Sequence, residues 1–272
     1  MSALAESRVA TSQVDNTDLL KAAAIFLVAI DHFAIYFVET EPLDDWLQVV
    51  GRLAAPVFFF LVGFATSRAV PRRWLVLGCI LTVFDAWGDD WHWGPGSILF
   101  SFALFRFVRP YFRKILCASW IGTFALIACL VIASAVYEVS QYIEPLALDG
   151  ASGWLWALLG LCQREYVDAQ DSNKGYFASL RWLLLPVTLC VFWLRTAEHY
   201  SEFTAIQIGA LAVTSTILAL VLVRFKRGAS GWQPSRMAAL VLRFLGHNTL
   251  EIYAAQLILS PIILEIWPHL VF

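Results

Sequence analysis

Lys21, Asp31 and His32 stand in a stretch, Asp18–Val38, that is otherwise apolar enough to cross a membrane. An ionisable side chain at membrane depth is costly, so it normally faces a bundle interior or a water-filled cavity. Histidine suits proton transfer because its ordinary pKa, ~6.5, lets it take and return a proton near neutral pH. Lys21 and His32 are eleven positions apart. At ~100° per residue that is close to three turns, which puts both on one helical face, ~16 Å apart along the axis. A cation at one end of such a face can hold the phosphates of a cytoplasmic ligand whose long arm reaches toward the histidine at the other.

Depth along the spans brings further groups to the histidine. Arg52 lies about as far into the second apolar segment as His32 lies from the end of the first, and Asp85 approaches the end of the third. Asp31, His32, Arg52 and Asp85 are therefore expected to cluster in the outer half of the membrane. The bland alternative is an ion-pair network that only fixes helix packing. Asp31 is the sequence neighbour of His32 and points away from it on a helix, so its expected partner is Arg52. A second group, Lys21, Arg72, Arg73, Arg106, Arg109, Arg243 and His247, falls on the opposite, inner side. His247 and Glu251, four apart, are expected to share a face at the start of the last span. Glu251 then needs a partner such as Lys21 or His247.

The elements that must position these groups follow from composition. Of 272 residues, 60% are hydrophobic and only 15% charged, and the mean hydropathy is +0.69. A soluble domain is nearer half apolar and a quarter charged. The expected fold is an all-α polytopic membrane bundle of about nine spans, at 19–38, 46–67, 73–88, 96–109, 114–136, 150–163, 180–197, 203–224 and 248–267. Residues 1–17 form a polar segment without the pattern of a removable signal peptide, and 18–272 a single transmembrane domain. Ser97 is placed to cap the fourth span. Segment 228–247 opens as a linker and becomes a short basic amphipathic run suited to the inner surface.

Charge alternates between loops. Of 19 Lys and Arg, all but Arg52 and Arg195 fall on the N-terminal side, which the positive-inside rule makes cytoplasmic. An odd span count then puts the C-terminus outside. A net charge of -2 argues against a nucleic-acid partner. The five Cys sit in apolar runs and read as small buried hydrophobes. No metal-ligand spacing of His and Cys appears.

The basic residue, ten others and His of Lys21–His32 resemble the signature of the family 3 membrane acyltransferases. LLKAAAIFLVAIDHF followed by VGRLAAPVFFFLVGFATSR, with Gly51, Arg52 and Pro56 opening the second helix, resembles the TraX family more closely. Ser97–Leu104 and the last-helix run LEIYAAQLIL are also similar, although Gln256 stands where that family tends to carry His. The resemblance implies a bacterial inner-membrane acetyltransferase. Acetyl-CoA would be the co-substrate, with no metal, and the acceptor a pilin amine or an exported glycan hydroxyl. It implies His32 as catalytic base, with Asp31 and Arg52 at motif positions. Lys21, Arg72, Arg73, Arg106 and Arg109 become candidates for acyl-CoA contacts, and Asp85, His247 and Glu251 for support. The rival readings are a proton-coupled transporter, which also needs ionisable groups within spans, and a non-catalytic subunit of a pilus or secretion assembly.

Overall fold

The computed structural model describes residues 14–38, 43–67, 69–88, 97–140, 152–199, 202–232 and 234–271. Among these residues there is no strand, only an isolated bridge between Asp15 and Ala229. The helices are α1 Asn16–Phe37, α2 Leu43–Gly51, α3 Ala54–Phe64, α4 Arg72–Gly88, α5 Ile98–Ala118, α6 Trp120–Ser140, α7 Gly153–Asp168, α8 Asp171–His199, α9 Ala205–Leu222, α10 Arg236–His247 and α11 Thr249–Val271. Among the described residues, five stretches are long and apolar enough to cross a membrane: Asn16–Phe37, Leu43–Phe64, Asn173–Ala197, Ala205–Leu222 and Thr249–Ile266, and Trp120–Ala135 is a shorter apolar helix. The other expected spans overlap helices α4, α5, α6 and α7.

The chain divides into two compact units, Met1–Val57 with Phe225–Phe272, and Phe58–Arg224. The division falls within α3.

In the first unit, α2, α10 and α11 all pack on α1. Asp15 caps α1, its side chain accepting from Thr17 N–H at 2.8 Å. The 226–230 strand of chain is zipped to that end: Asn16 N–H donates to the Gly228 carbonyl and Ser230 N–H to the Val14 carbonyl, both at 3.0 Å. Gly228 sits at φ +154°, a conformation that favours glycine. At Gly246 of α10 a Cβ would lie 3.0 Å from Asp18, so glycine lets α10 approach the first turn of α1. The other face of α10 exposes Met237, Leu240 and Phe244 beside Arg236 and Arg243, the amphipathic pattern expected of segment 228–247.

The second unit is built around α7. Every residue from Leu155 to Gln163 is buried, including Trp156 at 1% exposure. A helix that is apolar on all sides belongs in a core, which accounts for a span too short to cross a bilayer alone. Glycines bring α3 and α7 together: a Cβ at Gly63 would collide with the Ala157 carbonyl, and one at Gly160 with that of Phe60.

Three features differ from expectation. The second expected span is two helices, because Arg52 and Leu53 form a turn. Pro56 has no N–H to offer the Arg52 carbonyl and its ring crowds it, and Leu53 N–H donates instead to Val50 at 3.3 Å. Conversely, α5 runs through Pro110 to Ala118, where a stop at 109 was expected. Here packing overrides the proline, and the break falls at Ser119, whose hydroxyl accepts from Gly122 N–H at 3.1 Å. The cap at Ser97 forms as expected, accepting from Leu99 N–H at 3.4 Å. Finally, only Cys162 of the five cysteines is buried, while Cys79, Cys117, Cys129 and Cys190 are exposed. An apolar run in a membrane-type helix has an outward face that needs no protein around it, so apolar context does not imply a core position.

Candidate active site

The seam of α1 contains Ile25, Val28 and His32, all buried, with Lys21 half-buried one turn before them. The 4-3-4 spacing of 21, 25, 28 and 32 keeps all four on the face that the other helices of the unit cover. His32 is only 9% exposed. Its ring lies 6.4 Å from that of Tyr36, edge-on, and 5.8 Å from that of Tyr253 on α11. Gln256, on the same face of α11 as Tyr253, is within hydrogen-bonding reach of the imidazole. Nδ1 of His32 and Oε1 of Gln256 are both buried and lack a hydrogen-bond partner among the described residues.

Arg52 occupies the turn between α2 and α3. Its Nη2 is 3.0 Å from Oδ1 of Asp31, with both side chains mostly buried. The pairing expected from depth is thus present, and Asp31 does not orient the imidazole. The guanidinium is also within electrostatic reach of His32. Gly51 makes this possible: a Cβ there would sit 2.6 Å from Asp31 Oδ1 and would collide with its Cβ. A side chain at this position would force α2 off α1. The first turn of α2 adds Asp44, which accepts from Gln48 Nε2 at 2.8 Å and acts electrostatically on Asp31.

Asp85 lies on α4, and its side chain is outside the described residues. His247 and Glu251 do not share a helical face, because the chain breaks at Asn248 between α10 and α11. His247 is exposed and its Nδ1 meets the Arg243 carbonyl of its own helix end at 2.9 Å. Glu251 is exposed in the first turn of α11.

In the second unit, Arg106 and Arg109 lie one turn apart on α5 and reach the connection between α3 and α4. Arg106 Nη1 donates to the Ala69 carbonyl at 3.0 Å, and Arg109 Nη1 to that of Thr66 at 3.5 Å. Arg106 also stacks 4.2 Å above the buried Trp74 ring. The charged groups that act on Arg106 are Arg109 and Arg73, both of its own sign. Arg72 is exposed at the start of α4. Farther along, Arg113 pairs with Glu165 at 2.7 Å, which holds the guanidinium pKa above its usual value.

Among the described residues, no group of three or more His, Cys, Asp or Glu side chains is placed to hold a metal ion. Tyr36, Tyr253 and Gln256 were not expected at the site. The available signal was Tyr253 and Gln256 at i, i+3, a polar pair on one face of an otherwise apolar helix.

An uncharacterized protein of Rickettsia prowazekii, RP591, is 27% identical over 124 residues, 46% of this chain and 48% of that protein. The chain therefore matches about half the length of this relative. No solved structure matches the chain. The family described as TraX protein matches residues 16–167, a stretch that holds Lys21, Asp31, His32, Gly51, Arg52, Arg106 and Arg109. More than half of the chain is thereby accounted for, and the protein belongs to the TraX family.

Proposed function

We propose that this protein is a membrane-embedded acetyltransferase that moves an acetyl group from acetyl-CoA to a pilin N-terminal amine or an exported glycan hydroxyl. The observation that carries the reading is the company His32 keeps: a buried imidazole with an amide in hydrogen-bonding reach and a guanidinium in electrostatic reach. His32 takes a proton from the acceptor as its nitrogen or oxygen attacks the thioester carbonyl. Arg52, held in place by Asp31, stabilises the oxyanion of the tetrahedral intermediate. The intermediate collapses with cleavage of the carbon–sulfur bond, and the proton passes from His32 to the departing CoA thiolate. Cationic groups bind the donor's phosphates, for which Lys21, Arg72, Arg73, Arg106 and Arg109 are the candidates.

The topology that goes with this reading has about nine spans in a bacterial inner membrane. The N-terminus is cytoplasmic, by the distribution of Lys and Arg. TraX membership fits a role connected with pili, and an acceptor emerging in or across the membrane suits a base in its outer half.

The test uses purified full-length protein in nanodiscs with acetyl-CoA and either a peptide bearing a free N-terminal amine or an oligosaccharide. Acetyl transfer to one of them, lost in His32→Ala while acetyl-CoA still binds, is the expected result. Absence of both binding and transfer overturns the reading, as does unchanged transfer in His32→Ala. Proton-driven solute uptake by proteoliposomes without acetyl-CoA would point to the transporter instead.

A further inference from the structure

A base is defined by which of its two nitrogens carries the lone pair, and something must fix that choice. Asp31, the sequence neighbour, is engaged with Arg52. The tyrosines at 36 and 253 meet the His32 ring through their own rings. A side chain in hydrogen-bonding reach of the imidazole is Gln256. Its Oε1 and the Nδ1 of His32 are buried atoms without a hydrogen-bond partner among the described residues, and they belong to the two side chains in question. A buried polar atom left unpaired is costly, and these two belong to side chains in hydrogen-bonding reach of each other, so each is the natural partner of the other. An imidazole Nδ1 can donate only when protonated, and a carboxamide oxygen only accepts. The combination therefore selects one tautomer.

We infer that Gln256 is the positioning residue of the site: its Oε1 accepts the Nδ1–H of His32, which leaves the lone pair on Nε2 and makes that nitrogen the base. Tyr253 supports this bond, because its contact with the imidazole fixes the register of α11 one turn before Gln256. The role of base rests on the function proposed above, whereas the tautomer does not.

The experiment is nitrogen NMR of the full chain in lipid nanodiscs, with histidine labelled at both ring nitrogens. His32 is identified by the signals that vanish in His32→Asn. In the wild type, Nδ1 is expected to be protonated and Nε2 bare. Gln256→Met, similar in volume and without an acceptor, should lose that preference, and Gln256→Glu should restore it. In acetyl transfer, Gln256→Met should lower kcat by about a hundredfold, the lower end of what a positioned general base contributes. KM for acetyl-CoA should stay the same, with recovery in Gln256→Glu. A wild-type ring protonated at Nε2 overturns the inference even if neither variant folds. So does a Gln256→Met spectrum unchanged at His32. If the tautomer responds to Gln256 while His32→Ala leaves transfer intact, the inference stands and the acetyltransferase reading falls.

Discussion

Arg52 and Arg106 are both arginines drawn in among helices, and they are compensated in opposite ways. Arg52 faces a carboxylate, Asp31 at 3.0 Å, across a helix–helix contact opened by Gly51. Arg106 faces a backbone carbonyl and a tryptophan ring, and the charges around it are two more arginines. The first arrangement is locally neutral and can exist far from water, provided both partners are present. The second is held by a carbonyl dipole and a ring face with like charges acting on it, an arrangement that favours the approach of water or an anion. One region is built to position a charge, the other to attract one.

The largest effect expected anywhere in the molecule is at the neutral region's histidine. If His32 is the base, His32→Ala should lower kcat by ~10²–10⁴ with little change in KM for acetyl-CoA. The complementary pattern, a raised KM at constant kcat, is expected only of the arginine cluster. A His32→Ala variant that instead lost acetyl-CoA binding would erase the distinction between the two regions.

Next comes the pair itself. Asp31→Asn leaves Arg52 charged and unmatched in a mostly buried position. Breaking a buried ion pair from one side costs about 3 kcal/mol or more, to be read as a lower thermal unfolding midpoint in nanodiscs. Asp31→Asn with Arg52→Met should recover most of that stability while transfer stays lost, because the stabilising group for the oxyanion is gone. Equal losses in the single and double variants would show that the two side chains do not depend on each other.

These effects also show where the sequence was readable. The Asp31–Arg52 contact followed from arithmetic, because residues at equal depth on helices joined by a short connection have few places to go. The seam of Lys21, Ile25, Val28 and His32 followed from helical periodicity. Gln256 did not follow: it stands on the last span, far in sequence from His32, and only the packing of α11 on α1 reveals what it faces. The shared face expected of His247 and Glu251 does not form, because periodicity assumes an unbroken helix and Asn248 breaks it. The turn at Arg52 and the passage through Pro110 share one cause with opposite outcomes. Proline removes the same hydrogen bond in both places, and the surrounding packing decides whether the helix survives.

A smaller effect tests the hinge between sequence and site. Gly51→Ala places a methyl group against Asp31. Overpacking of this kind costs about 1–3 kcal/mol, and the relief is a shift of α2 away from α1 that lengthens the ion pair. The expected signature is a modest fall in unfolding midpoint together with a fall in kcat, since Arg52 moves with the turn. A fall in stability alone would mean that the turn can move without carrying the guanidinium out of place.

The smallest effect is the sharpest discriminator between the two regions. Arg106→Gln keeps a donor for the Ala69 carbonyl and removes one of three clustered charges. If the cluster binds phosphate, KM for acetyl-CoA should rise about tenfold, equivalent to ~1.4 kcal/mol, at unchanged kcat. Salt should weaken acetyl-CoA binding less steeply in the variant than in the wild type, because one screened attraction has gone. Arg106→Lys separates charge from geometry. A lysine keeps the charge but is a point donor, without the planar fork that reaches the carbonyl and lies flat on Trp74. Wild-type KM in the lysine variant with a raised KM in the glutamine variant makes the charge itself the binding element. The reverse ranking, glutamine tolerated and lysine not, would mean that Arg106 serves to hold the connection between α3 and α4. The positive cluster would then be a packing device, as neutral in function as Asp31 makes Arg52 in charge.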